Sequence, residues 1–102
     1  MIEKPLFIPL KREYFEAFAA GTKDTEYRRY SERWNERTCR IGRAVVLSLG
    51  YGRQRRLTGV VTGFVRQSAA AMGKDWLACY GDKRGFAACI RIALQHSEGN
   101  PK

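Results

Sequence analysis

The chain reads as an α+β fold in which a small curled or closed sheet carries one main helix near the N-terminus. Three observations predict it. Residues 11–20 place aromatic side chains at helical spacing and stop at a glycine. Three later runs, 44–49, 57–66 and 86–94, are rich in β-branched and apolar residues, the composition of strands. Gly59 and Gly63 fall inside the second run, where glycine marks the bends or bulges that close a sheet.

Each element follows from its own residues. Leu6-Phe7-Ile8-Pro9-Leu10 is a short apolar strand, with Pro9 closing it and turning the chain into the helix. In the helix, Lys11 to Ala20, Tyr14, Phe15 and Phe18 form one apolar stripe, read as core rather than as a ligand platform. Glu13 and Glu16 sit early, where the helix dipole favours negative charge. Gly21 occupies the position where a left-handed residue ends a helix. The chain then extends. From Asp24 onward, Glu26 and Arg28 share one face of a strand, close enough to pair, and Thr25 and Tyr27 share the other. Arg29 to Arg40 is a long charged loop or short irregular helix, of a length uncommon in compact domains unless it carries function. Within it Trp34 serves either as an anchor to the barrel or as a stacking surface among arginines. Ile41-Gly42-Arg43 turns into the buried strand 44–49, and the basic loop 50–56 puts Tyr51 and Arg53 at a hairpin tip. Residues 68–72 and 76–80 read as short helical segments, and 68–85 could close over a neighbouring cleft. The last strand is Phe86 to Leu94, with 95–102 a polar, frayed tail. Cys79 and Cys89 lie in apolar runs and read as buried.

With 102 residues and 44% hydrophobic content, the whole chain, 1–102, fits a single domain. It carries 19 Lys+Arg against 10 Asp+Glu, a formal charge of +9. Lys23 to Arg56 alone contributes ten basic and four acidic residues. A clustered, arginine-rich surplus suits a polyanion, because phosphate contacts release counterions and guanidinium binds phosphate in two-pronged fashion. The same charge also suits a merely solubilising surface. Cys39, Cys79, Cys89 and His96 are scattered, which disfavours both a disulfide framework and a zinc site; no metal or other cofactor is expected. His96, close to the tail, reads as incidental. Odd cysteines and the lack of a long apolar run point to the cytoplasm rather than to a membrane.

The stretch Gly21-Thr22-Lys23-Asp24-Thr25-Glu26-Tyr27-Arg28 gathers a glycine stop, a lysine, a glutamate and an arginine on a helix-to-strand junction, where ligands can reach them. It fits the pattern GxKxxExR through Gly21, Lys23, Glu26 and Arg28, and so resembles the signature of ASCH domains, which share the PUA-like β-barrel. The lead-in Ile8-Pro9-Leu10-Lys11-Arg12-Glu13-Tyr14-Phe15, then Trp34, then Leu49-Gly50-Tyr51, are similar to the small ASCH proteins often carried by phages and prophages. The resemblance covers most of the first sixty residues, and the remainder by strand pattern only. It implies a PUA-like barrel of about five to six strands, with one main helix, short additional helices, and a cleft beside the motif.

In such a cleft the resemblance implies RNA or a modified nucleoside as ligand. The ligand-binding candidates are Lys23, Glu26, Arg28, Trp34, Tyr51 and Arg53, with Lys23 and Glu26 as catalytic candidates. Some relatives are hydrolases, one group removing acetyl from acetylated cytidine and another cutting RNA. In the first group the motif lysine works with a threonine three residues later and with a glutamate from the second half of the chain. Here Glu26 stands in the threonine's place, Thr25 faces the other way, and the second half offers only Asp75, Asp82 and Glu98. A lysine base near neutral pH also requires its ammonium to be destabilised by about 4 kcal/mol. A metal-independent ribonuclease could draw on Lys23, Arg28, Tyr51 and Arg53 for charge stabilisation, but no histidine pair is at hand as acid and base. Binding therefore stands ahead of catalysis. A phage accessory protein docking on an acidic host protein is the third reading. A purely structural Glu26–Arg28 pair remains open beside direct ligand contact.

Overall fold

The computed structural model describes residues 3–96, apart from the side chain of His96. Strands β1 (Leu6–Leu10), β2 (Thr25–Arg29), β3 (Ala44–Leu49), β4 (Arg56–Ser68) and β5 (Phe86–His96) form one sheet in the order β1-β3-β4-β5-β2. Helix α1 (Arg12–Ala20) links β1 to β2. A 3₁₀ turn (Ala69–Ala71) and helix α2 (Lys74–Tyr80) link β4 to β5. β1 runs parallel to β3, and every other neighbour is antiparallel. The result is a five-stranded curled half-barrel of α+β class, with β1 and β2 as its two edges.

The curl comes from the predicted glycines. Between β4 and β5 the register shifts at Thr58/Gly59 and again at Val61/Gly63. A side chain on Gly59 would place its Cβ 2.5 Å from the Ala93 carbonyl oxygen, so the strands approach there only because the residue is glycine. Inward-facing side chains of the half-barrel make the main core, with Ile8, Phe15, Phe18, Leu47, Leu57 and Ile90 buried. A second, smaller cluster lies on the opposite face of β5, where Ala87 and Cys89 alternate with the core residues Ala88 and Ile90. Trp76 of α2 and Ala69 cover it.

Several local expectations change. Pro9 lies within β1 rather than ending it. Edge position explains this, because the side of Pro9 that lacks an N–H faces away from β3. β4 runs two residues past Arg66, and β5 continues through Gln95 to His96, which pairs with Thr58. The rest of the expected tail, from Ser97 on, lies outside the described residues. Cys89 is buried as expected, but Cys79 is exposed, because α2 turns Trp76 and not Cys79 toward the sheet.

The long loop after β2 holds together without helix or strand. Trp34 is 8% exposed and joins the main core. The buried Asn35 side chain donates to the carbonyls of Ser31 and Glu32 and accepts from the N–H groups of Arg37 and Thr38. Every one of its hydrogen-bonding positions is thereby used. Arg43 donates to the carbonyls of Thr38 and Lys4, fastening the loop to the chain ahead of β1.

Candidate functional site

The end of α1 positions the first functional side chain. Gly21 takes φ +81°, and the N–H groups of Thr22 and Lys23 both donate to the Ala17 carbonyl, at 3.0 and 3.2 Å. This knot sets Lys23 just ahead of β2. Strand alternation then sends Glu26 and Arg28 inward, as expected from the sequence.

Glu26 is only 7% exposed and lies between two cations. Arg28 Nε donates to Glu26 Oε2 at 2.7 Å, and Lys23 Nζ stands 3.9 Å from Oε1. Arg28 Nη2 also donates to the Pro9 carbonyl at 2.6 Å. One guanidinium thus bridges the two edge strands and spans the seam of the half-barrel. The Lys23 ammonium is further surrounded by rings. It lies 5.1 Å from the centre of Tyr27, 5.3 Å from Tyr14 and 5.5 Å from Phe18. These are contacts that a cation makes with π faces.

These residues open onto a cleft of about 920 Å³. Lys23, Glu26, Tyr27 and Arg28 line one side together with Pro9 and Tyr14. α2 and the turn before it supply the facing wall, through Met72, Lys74, Asp75, Trp76, Cys79 and Tyr80. Segment 68–85 thus borders the cleft as one wall. The two helices touch where Tyr14 Oη and Cys79 Sγ come within 3.7 Å, with either atom able to donate. That bond, burial, and the neighbouring Cys79, Glu13 and Asp75 together push the Tyr14 hydroxyl far above the ordinary tyrosine value. It stays protonated through neutral pH. Burial likewise pushes Tyr80 up.

The remaining sequence candidates separate. Tyr51, 81% exposed, lines the cleft from the hairpin and packs 6.2 Å from Phe7. Arg53 is exposed at the same hairpin but is not part of the cleft lining. Trp34 lies behind Arg28, whose guanidinium covers its ring at 4.9 Å. It is buried in the main core, as the anchor alternative has it, and is not among the residues that line the cleft. Thr25 donates to Asp24 and lines a separate groove on the outer face of the sheet, with Gly63 and Val65. Of the second-half acids, Asp75 reaches the cleft. Asp82 is held by Arg29 and Arg84, and Glu98 lies outside the described residues.

Sequence reasoning missed most of the α2 wall. Arg29 lies over both Trp76 and Tyr80, 5.6 and 5.0 Å from their ring centres, and donates to the Arg84 carbonyl at 3.1 Å. The spacing of Trp76 and Tyr80, one helical turn apart, was the available signal. Tyr14 also departs from the expected pattern. Phe15 and Phe18 are core, but Tyr14 is half-buried and lines the cleft.

No family model and no curated protein matches the chain. Its backbone is similar to two crystal structures from Zymomonas mobilis. One is the ASCH protein ZmASCH in a serine-to-alanine mutant form, at TM-score 0.66 and 13% identity. The other is ASCH, at 0.64 and 14%. Each match covers 90% of this chain and 68% of the other. At that identity the likeness speaks for the fold, which is the one that GxKxxExR pointed to: the chain is an ASCH-fold domain.

Proposed function

We propose that this domain binds single-stranded RNA or a modified nucleoside in the cleft between α1 and α2. One observation carries the reading. The cleft combines the aromatic side chains of Tyr14, Tyr27, Tyr51 and Tyr80 with the Lys23–Glu26–Arg28 cluster. Aromatic faces stack bases, and a mixed set of charged groups hydrogen-bonds base edges. A volume of about 920 Å³ lies within the range of small-molecule sites and leaves room for a nucleoside.

Binding fits the geometry better than hydrolysis does. Lys23 is held between a carboxylate and three ring faces, which suits a cation that positions a ligand. Thr25, the one threonine beside Glu26, faces away from the cleft. Asp75 is the single second-half acid that reaches the cleft among the described residues.

The test is a titration of single-stranded RNA and matched DNA at two salt concentrations, with wild type and Lys23→Ala side by side. The expected result is a preference for RNA and about tenfold weaker binding by the variant, the loss of one charge-assisted contact. Weak, equal binding to both nucleic acids that vanishes with salt in both proteins overturns the reading and redirects the search to a protein partner.

A further inference from the structure

We infer that the backbone of β2 at Tyr27 reads the hydrogen-bonding edge of the bound base, so that the cleft takes a nucleobase and not a phosphate. The inference rests on the nucleic-acid reading above and goes beyond it in naming the part of the ligand that enters.

The argument begins with strand pairing. Ile92 N–H donates to the Asp24 carbonyl at one end of β2, and Tyr30 N–H donates to the Phe86 carbonyl at the other. The β2–β5 register runs without interruption between them. In an antiparallel pair the residues that bond to the partner alternate with those that do not. Glu26 and Arg28 therefore spend their backbone groups on β5, and those of Tyr27 point to the open edge. β2 is a terminal strand of the sheet, so no strand takes them up.

That edge borders the cleft, which Tyr27 itself lines. An extended residue presents its N–H and C=O side by side. This donor–acceptor pair matches the adjacent acceptor and donor on the pairing edge of a base, much as a further strand would match it. Phosphate offers acceptors only, so the Tyr27 carbonyl would repel it. Glu26 and Asp75 line the same cleft beside Lys11, Lys23, Arg28 and Lys74, so its cations suit phosphates that flank a base while the strand edge itself suits the base. Bases, by contrast, can stack on the rings nearby while their edges meet the strand.

The position allows a direct backbone test. Proline at an edge strand removes an N–H without breaking the ladder, provided that the N–H faces outward. Tyr27→Pro and Tyr27→Ala both remove the phenol, and only the first removes the N–H. The probes are single-stranded RNA octamers of uridine and of guanosine, each beside the same octamer built from N3-methyluridine or N1-methylguanosine. The methyl group blocks the base edge and leaves phosphates and stacking in place.

Tyr27→Pro is expected to bind the better unmodified octamer about tenfold more weakly than Tyr27→Ala, the loss of one hydrogen bond. Wild type is expected to lose at least as much on methylation of that octamer. Circular dichroism of both variants establishes that they fold, and the methylated probes decide the question with wild type alone if Tyr27→Pro does not. Equal binding of methylated and unmodified octamers by wild type overturns the inference. If Lys23→Ala still weakens binding in that case, the nucleic-acid reading stands without it. Binding of neither octamer by any form of the protein overturns both.

Discussion

Arg28 ties fold and site together. Its guanidinium satisfies the buried Glu26 carboxylate and, from the same side chain, the Pro9 carbonyl on the opposite edge strand. Removing it would leave a carboxylate that is 7% exposed with a single cation 3.9 Å away. The loss of one member of a buried, hydrogen-bonded pair is strongly destabilising. Arg28→Ala should lower stability by about 3 kcal/mol. Lys23→Ala should lower it by less than about 1 kcal/mol, since Glu26 keeps its shorter bond to Arg28. Urea unfolding of the two variants checks this. Equal losses would mean that the seam does not depend on the bridge. This asymmetry makes Lys23, and not Arg28, the residue with which to probe binding. Both side chains line the cleft, but the bridge to Pro9 belongs to Arg28 alone.

At the scale of elements, the α2 wall depends on the turn that returns the chain to β5. Asp82 accepts the Arg84 N–H at 2.9 Å and lies near the Arg29 and Arg84 guanidinium groups. The Arg84 N–H first, and the two arginines after it, hold the Asp82 carboxyl below the ordinary aspartate value. A carboxyl depressed by folding contributes stability that is present above its unfolded value, about 3.9. That stability is lost as pH falls through the lower folded value. Asp82→Asn should therefore destabilise the wall near neutral pH and flatten the loss of stability on acidification below about pH 4. Thermal unfolding of both proteins between pH 7 and pH 2 tests it, and parallel curves would remove Asp82 from the account. This wall is also where the sequence was least legible. A helix of seven residues has too little periodicity to declare which side faces a cleft. Only docking of Trp76 onto Ala87 and Cys89 turns Cys79 toward Tyr14. The α1–Gly21–β2 junction was legible because its signals are local: a glycine at φ +81°, then strict alternation through Glu26 and Arg28. Gly59 and Gly63 were legible for the same reason, each marking a register shift.

For the whole molecule, the charge of +9 says less about the ligand than its size suggests. Much of the basic block from Lys23 to Arg56 is engaged within the fold. Arg28, Arg29, Arg40, Arg43 and Arg55 each hold a carboxylate, and Arg56 donates to the Gly52 carbonyl. Sequence shows the surplus but not these partners, because Glu3, Glu16 and Asp82 lie far along the chain from the arginines they meet. The arginines of the block with no carboxylate shown within 4 Å among the described residues are Arg33, Arg37, Arg53 and Arg56, the last of them held by the Gly52 carbonyl, and the cleft draws Lys11 and Lys74 from outside the block. This distinction has a measurable consequence. For single strands the logarithm of affinity falls with the logarithm of salt at about 0.7 per phosphate neutralised. If all ten basic residues of the block met phosphates, the slope would be about −7. With only the cleft lysines Lys11, Lys23 and Lys74 and the exposed arginines Arg33, Arg37 and Arg53 engaged, it should be about −4. Titration of a uridine 20-mer, which carries enough phosphates for either outcome, across a series of salt concentrations measures the slope directly. A value near −4 means that a few phosphates flank a base held in the cleft. A value near −7 would mean that the arginines release their internal carboxylates to grip the backbone, and the ligand would then lie along the basic loops rather than between α1 and α2.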